Sequence, residues 1–281
     1  TESPVLIKNY LPTMNRSEIF LVMVSGMGTI AGSVMGTYIG MLGGTDPAAK
    51  VLFATHLLSA SVMAVPGSIV LAKMLCPQTE EATDHVAISG KEKENSNILD
   101  AISSGTVTGV KLMTNIAAML LVFISLVALA NYITEGVIGR YTGLNDWIVK
   151  ITDGKAQGLT FQFILGVITS PFMWLIGVPS QDIMLVGSLL GQKTILNEFV
   201  AYFQLQQWKD AGLFMYEKSI LMSTYILCGF ANISSIGILL GGLGVLAPEK
   251  RGLISRIGVP AMIGGALVSV LSATIIGMIL G

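Results

Sequence analysis

The stretch "LGVITSPFMWLIGVPSQDIMLVGSLLGQKTILNEFVAYFQLQQW" (165–208) decides how this chain is read. Apolar runs of about ten residues alternate there with polar or Gly/Pro breaks, and each run is too short for a hydrocarbon core of about 30 Å, which takes ~20 helical residues. Such runs fit re-entrant half-helices, tolerated at membrane depth only where they are buried in protein or line a cavity. Glu198 stands just after one break, inside "ILNEFVAYF" (195–203) and beside Asn197. A carboxylate at membrane depth costs about 3 kcal/mol by insertion scales, so acids placed there face a cavity or a partner and mark a pathway. The competing reading, a helix-end glutamate at the headgroup level, fits poorly with the apolar run that continues through "FVAYF".

Composition sets the solvent. Over 281 residues the chain is 52% hydrophobic and only 12% charged, against roughly 25% charged in a soluble domain. Apolar windows near or above membrane-spanning length cover 19–42, 51–76, 112–138, 158–176, 219–246 and 252–281. The net charge of −1 and the lack of a basic block exclude nucleic acid and an anionic lipid surface as partners. Cys76 and Cys228 lie in or at the end of apolar windows without CxxC spacing and read as core thiols. Thr1 reads as a cut end, with further segments expected before it.

Working outward, residues 1–17 contain Pro4 and Pro12, which argue against one continuous span. In 19–42, Gly26, Gly28, Gly32, Gly36 and Gly40 allow close helix approach or a local break. "GGTDPAAK" (43–50) predicts a turn and a helix start, with Asp46 as N-cap and Pro47 at the first helical position. Pro66-Gly67 predicts a kinked span over 51–76. Residues 77–111 read as a solvated, charged loop and 112–138 as the cleanest span. Residues 139–157 are polar, with Tyr141 and Trp147 suited to the headgroup level. Near the end, "LCGFANISSIGILLGG" (227–242) is an apolar window interrupted at Asn232, Ser234 and Ser235. Those side chains fit helix-to-helix hydrogen bonding or an unwound, ligand-facing backbone. Thr29 is open in the same way, as packing or as part of a break that frees carbonyls for a hard cation. The segment 252–281, led by Arg251 and Arg256, reads as an ordinary span.

"SGMGTIAGSVMG" (25–36) echoes "CGFANISSIGIL" (228–239): Gly26 aligns with Gly229, Thr29 with Asn232, Ile30 with Ile233 and Gly32 with Ser235. Upstream of each lies a glutamate before an apolar run, Glu2 and Glu198. An internal duplication would leave this pattern, and paired broken segments in transporters point to a midplane site. The echo is short, and chance similarity in a Gly- and Ser-rich membrane chain also produces it. Glu2 fits a site residue or a solvated terminus. Enzyme signatures fail: "GSLLGQKT" (187–194) lacks the glycine spacing of a phosphate loop, and His56 and His85 form no HExxH or Ser/His/Asp set. His56, within a span, reads as packed or cavity-lining.

"TESPVLIKNY" (1–10), "SGMGTIAGSVMGTYIG" (25–40), "GVPSQDIMLVGSLLGQKTILNEFVAY" (177–202) and "STYILCGFANISSIGILLGGLG" (223–244) together resemble the concentrative nucleoside transporter family, in family order through nearly the whole chain. NEFVAY and GFANxSSIG are its most specific motifs. The resemblance implies an all-α integral membrane fold: an inverted-repeat transporter with two re-entrant helical hairpins and two broken helices, assembled as a homotrimer. It assigns 1–17 to the end of the first hairpin, 18–76 to a broken helix and a kinked helix, and 77–111 to the charged loop. It assigns 112–138 to a scaffold helix, 158–207 to the second hairpin, 218–247 to a second broken helix and 252–281 to a final transmembrane helix.

The same resemblance implies that Thr1, Glu2, Val34, Glu198, Phe230, Asn232 and Ser235 bind one nucleoside, such as uridine or adenosine, near the midplane. It implies that Thr29 and Ile30 contribute to a sodium site completed by residues before Thr1. Retention of Thr-Glu-x-Pro at 1–4 favours sodium over protons as the coupling ion, with no cofactor and no enzymatic activity expected. The expected location is the plasma or inner membrane, as a multi-pass protein. A carrier of another polar solute and a nucleoside-binding channel or receptor are the alternatives, and a channel pore lined by rings of like groups fits paired hairpins less well.

Overall fold

The computed structural model describes residues 7, 10–80, 97–152, 154 and 156–281, and all the regular structure among them is helical. In chain order the helices are α1 (Arg16–Gly28), α2 (Gly32–Gly43), α3 (Pro47–Leu75), α4 (Ile98–Asn131) running into a π-helical stretch (Tyr132–Gly139), and α5 (Leu144–Ile151). They continue as α6 (Phe161–Leu175), α7 (Ile183–Ile195), α8 (Glu198–Asp210), α9 (Glu217–Leu227), α10 (Ile233–Leu246) and α11 (Arg251–Ile279). The chain divides into two compact units, one of Thr1–His85 with Gln162–Gly281 and one of Val86–Phe161.

In the larger unit, α1 starts on a reciprocal cap. Asn15 Oδ1 accepts from the Glu18 amide (3.0 Å) while the Glu18 carboxylate accepts from the Asn15 amide (2.8 Å), so two orphan groups of the first turn are satisfied at once. Ile19, Phe20, Met23, Val24 and Met27 recur at helical spacing and are buried. Regular helix stops at Gly28: Thr29 (φ −107°, ψ 154°) and Ala31 (φ −74°, ψ 133°) are extended before α2 begins. The start of α3 follows the sequence expectation, with Asp46 accepting from Ala48 and Ala49 and Pro47 just inside. Pro66 lies within α3 and removes one ladder bond, yet the helix continues to Leu75.

The last helix, which reads as an ordinary span and is long and apolar enough to be one, is also the hub of this unit. Its glycines admit neighbours at distances where a Cβ would collide: Gly264 against Val24 (2.9 Å), Gly265 against Met27 (2.8 Å), Gly258 against Ile236 (2.7 Å) and Gly277 against Met222 (2.8 Å). Without a hydrophobic drive between helices in lipid, close packing over small residues is what holds such helices together. One buried cluster gathers α1, α10 and α11 around Met23, Leu239 and Ala261. A second gathers α2, α3, α7, α8 and α9 around Tyr38, Leu57, Tyr202 and Tyr225.

By length and composition, Arg16–Gly43, Pro47–Leu75 and Pro248–Ile279 are apolar enough to cross a membrane. Three shorter apolar helices, Phe161–Leu175, Ile183–Ile195 and Ile233–Gly244, are not long enough alone.

The smaller unit corrects one boundary. Residues 98–111, expected in the charged loop, are helical: Asn97 caps α4 by accepting from the Asp100 amide (2.9 Å) and the helix runs to Asn131. Ser103, Ser104, Gly105, Thr106, Thr108 and Gly109 lower the hydropathy of this stretch, so its helix start reads as loop. Residues 81–96 lie outside the described residues. Beyond α4, Asn145 donates to the Glu135 carbonyl (3.0 Å) and accepts from the Leu159 amide (2.9 Å), seated between Gly139 and Gly158. Tyr141 and Trp147 are exposed.

Candidate functional site

Two places where helix is interrupted meet in the larger unit. The first lies between α1 and α2, the second between α9 and α10, where Cys228 takes φ −69°, ψ 93° and Gly229 takes φ 148°. A Cβ on Gly229 would lie 2.7 Å from Ser269 Oγ, 3.0 Å from the Gly28 carbonyl and 3.1 Å from the Met27 carbonyl. Gly229 is therefore the contact point between the interruptions. Its positive φ and the missing side chain are both required there.

Asn232 begins α10 and is fully buried. Its Oδ1 accepts from the Ser235 amide (2.8 Å) and the Ser234 hydroxyl (2.6 Å). Ser235 Oγ accepts from the Asn232 amide (3.2 Å) and donates to the Asn232 carbonyl (2.6 Å). These bonds consume the oxygen end of the side-chain amide and leave its nitrogen end aimed across the unit. Nδ2 donates to Glu198 Oε2 at 3.2 Å.

Glu198 sits at the first position of α8, after the N-cap Asn197, which accepts from the Val200 amide (2.9 Å). Only 5% of Glu198 is exposed. Its second oxygen, Oε1, accepts from the Tyr38 hydroxyl at 3.3 Å. Tyr38 is held in turn: its ring stacks on Tyr202 (centroids 4.2 Å apart) and meets Phe199 edge-on at 5.9 Å, and the Tyr202 hydroxyl donates to the Thr224 carbonyl (2.9 Å). A buried carboxylate is tolerated where donors satisfy it, and here one comes from each side of the two interruptions. A carboxylate offers about four lone-pair sites, more than these two donors use.

The structure thus brings Glu198, Asn232 and Ser235 together. Val34 lies one turn before Tyr38 on α2 and packs, partly buried, against the same cluster as Ile30. Phe230 is half-buried in the second interruption. Thr29 Oγ1 donates to the Ser25 carbonyl at the end of α1 (2.9 Å). Thr1 and Glu2 lie outside the described residues. Sequence reasoning missed Tyr38, although its i+4 spacing from Val34 places it on the same helical face. It also passed over Lys193, which is fully buried. A lysine inside an apolar run is the signal that was available. His56 is half-buried, with Nδ1 3.1 Å from the Tyr225 hydroxyl, and is packed as expected.

Helices long and apolar enough to cross a membrane, with interrupted segments meeting around a buried acid and amide, fit an integral membrane protein. The family model described as "Na+ dependent nucleoside transporter C-terminus" matches residues 56–277, and the chain belongs to this family. It is 39% identical to an uncharacterised transporter of Haemophilus influenzae over 100% of this chain and 63% of that protein. It is 38% identical to sodium/nucleoside cotransporter 1 of Rattus norvegicus over 99% of this chain and 42% of that protein. Among solved structures, CNTnw in an inward-facing substrate-bound state matches with a TM-score of 0.82 at 34% identity, over 100% of this chain and 61% of that one. The chain therefore spans about 42 to 63% of the length of these curated relatives. It is a multi-pass membrane protein from a family of transporters, not of enzymes.

Proposed function

We propose that the whole protein of which this chain is part carries nucleosides across the cell membrane by secondary active symport with sodium, through alternating access around a midplane site. The observation that carries this reading is the buried Tyr38, Glu198 and Asn232 chain of hydrogen bonds at the junction of two interrupted helices. A nucleoside is neutral but rich in hydroxyl donors and base-edge donors and acceptors. The remaining lone pairs of Glu198 accept from ribose hydroxyls, Asn232 offers the second hydrogen of its Nδ2, and Phe230 and Val34 pack against base and sugar faces. Ser235 acts by holding Asn232, and Thr1 and Glu2 complete the pocket from the first hairpin tip.

In this reading α6 to α8 form a re-entrant hairpin and the paired interruptions are broken helices at membrane depth. The short lengths of α6, α7 and α10 support it, since short spans at that depth must be buried in protein. Thr29 and Ile30 give oxygens to sodium together with residues of the preceding segments. Three copies assemble as a homotrimer. Uridine uptake by the full-length parent in proteoliposomes, with and without an inward sodium gradient, tests the reading. Uptake driven by sodium supports it, and equal uptake without sodium removes the coupling.

A further inference from the structure

Lys193, near the end of α7, is fully buried. Its Nζ donates to the Ile226 carbonyl (2.8 Å) and to Ser269 Oγ (3.0 Å). Ser269 Oγ donates onward to the Cys228 carbonyl (2.9 Å). Both carbonyls have lost their helical partners. In a continued α9, the Ile226 carbonyl would receive the Phe230 amide and the Cys228 carbonyl the Asn232 amide, each four residues on. The chain turns away at Gly229 instead, and the Asn232 amide bonds Phe230 O (3.2 Å) and Ser235 Oγ (3.2 Å).

We propose that Lys193 is a fixed internal cation that holds the second interruption open, a positioning residue for Phe230 and Asn232 that acts through the backbone. An ammonium has three donors and no acceptor. The carbonyl end of a helix favours positive charge, and an unpaired buried carbonyl is costly. The lysine and its serine relay answer both needs at once. They also select the interrupted form: rewinding α9 through 228–232 would hand the Ile226 carbonyl to Phe230 and strip the ammonium of a partner in a buried site, where an unpaired charge is prohibitive. Among the described residues, no lysine plays this part at the first interruption. The second interruption carries its cation on a side chain. The effect on transport rests on the nucleoside reading above, whereas the effect on the backbone does not.

The test uses the full-length parent with Lys193→Met, which keeps chain volume and removes charge and donors. Amide exchange over residues 226–232 becomes at least tenfold slower in Lys193→Met than in the parent, because α9 rewinds and the Phe230 amide gains the Ile226 carbonyl, and the KM for uridine rises about tenfold or more in proteoliposomes. Exchange as fast as the parent's, or faster, overturns the proposal, as does an unchanged KM. If the parent itself takes up no uridine while Lys193→Met still slows exchange, the nucleoside reading falls and the clamp stands. Should Lys193→Met fail to reach the membrane intact, Ser269→Ala is measured the same way: it frees the Cys228 carbonyl and removes one of the two partners of the Lys193 ammonium, and exchange over 226–232 slows about threefold. No change in that variant overturns the proposal.

Discussion

The two interruptions are built from similar sequence and held in different ways. Between α9 and α10, Cys228, Gly229, Ala231 and Asn232 are buried, Asn232 and Ser235 cap each other, and Lys193 and Ser269 take the freed carbonyls. Between α1 and α2, Thr29, Ile30 and Ala31 are only partly buried, and α2 starts without a side-chain cap. Each helix end leaves unsatisfied backbone groups. The second interruption answers them with side chains distant in sequence, whereas at the first, among the described residues, the side-chain bond is local, from Thr29 Oγ1 to the Ser25 carbonyl. Under the proposed function, the second interruption is the fixed substrate platform and the first the exchangeable ion site.

Substitutions sharpen or break the contrast. The largest structural effect is expected from Gly229→Ala, which places a Cβ 2.7 Å from Ser269 Oγ and 3.0 Å from the Gly28 carbonyl at positive φ. Strain and overpacking together cost about 3 kcal/mol, read as a clear fall in detergent melting temperature. A melting temperature like the parent's would show that the second interruption is as yielding as the first. Next comes Tyr38→Phe, which keeps the ring stack on Tyr202 and removes one donor to a carboxylate, a bond worth about 1.5 kcal/mol. The KM for uridine should rise roughly tenfold with folding unaffected. An unchanged KM would take Tyr38 out of the site.

At the first interruption, Thr29→Val should raise the sodium concentration for half-maximal uptake by roughly threefold, about 0.7 kcal/mol, with little change in uridine KM. Equal sensitivity of both parameters would merge the two roles. The smallest effect is Gly32→Ala, where nothing lies within 4 Å of the added Cβ. Helix propensity even favours alanine by up to about 1 kcal/mol, so the melting temperature should hold or rise slightly. A fall matching that of Gly229→Ala would erase the contrast.

Much of this was legible in the sequence, because periodicity and buried charge report the solvent directly. The membrane class, the break near Glu198, the cap at Asp46 and the interruption at Asn232 all follow from local residue types. The echo of 25–36 in 228–239 even aligned two stretches that turn out to touch. What was not legible depends on contacts distant in sequence. Tyr38 reaches Glu198 across 160 residues and Lys193 reaches Ser269 across 76, and no periodicity records a partner that far away. The role of α11 was hidden for a related reason: its glycines look like those of any apolar span until the neighbours they admit are known. The early start of α4 was masked by Ser, Thr and Gly at 103–109, which lower hydropathy whether the backbone is helical or not.

Binding of uridine to the purified full-length parent, measured by titration calorimetry in sodium for the native protein and for Glu198→Gln, addresses the pocket at its centre. The exchange keeps the shape of the side chain and removes the charge that accepts hydroxyl hydrogens. Uridine heat should be measurable for the native protein and weakened at least a hundredfold in the variant, with both eluting alike on size exclusion. Binding of equal strength in the two proteins would place the solute somewhere other than the junction of Glu198 and Asn232.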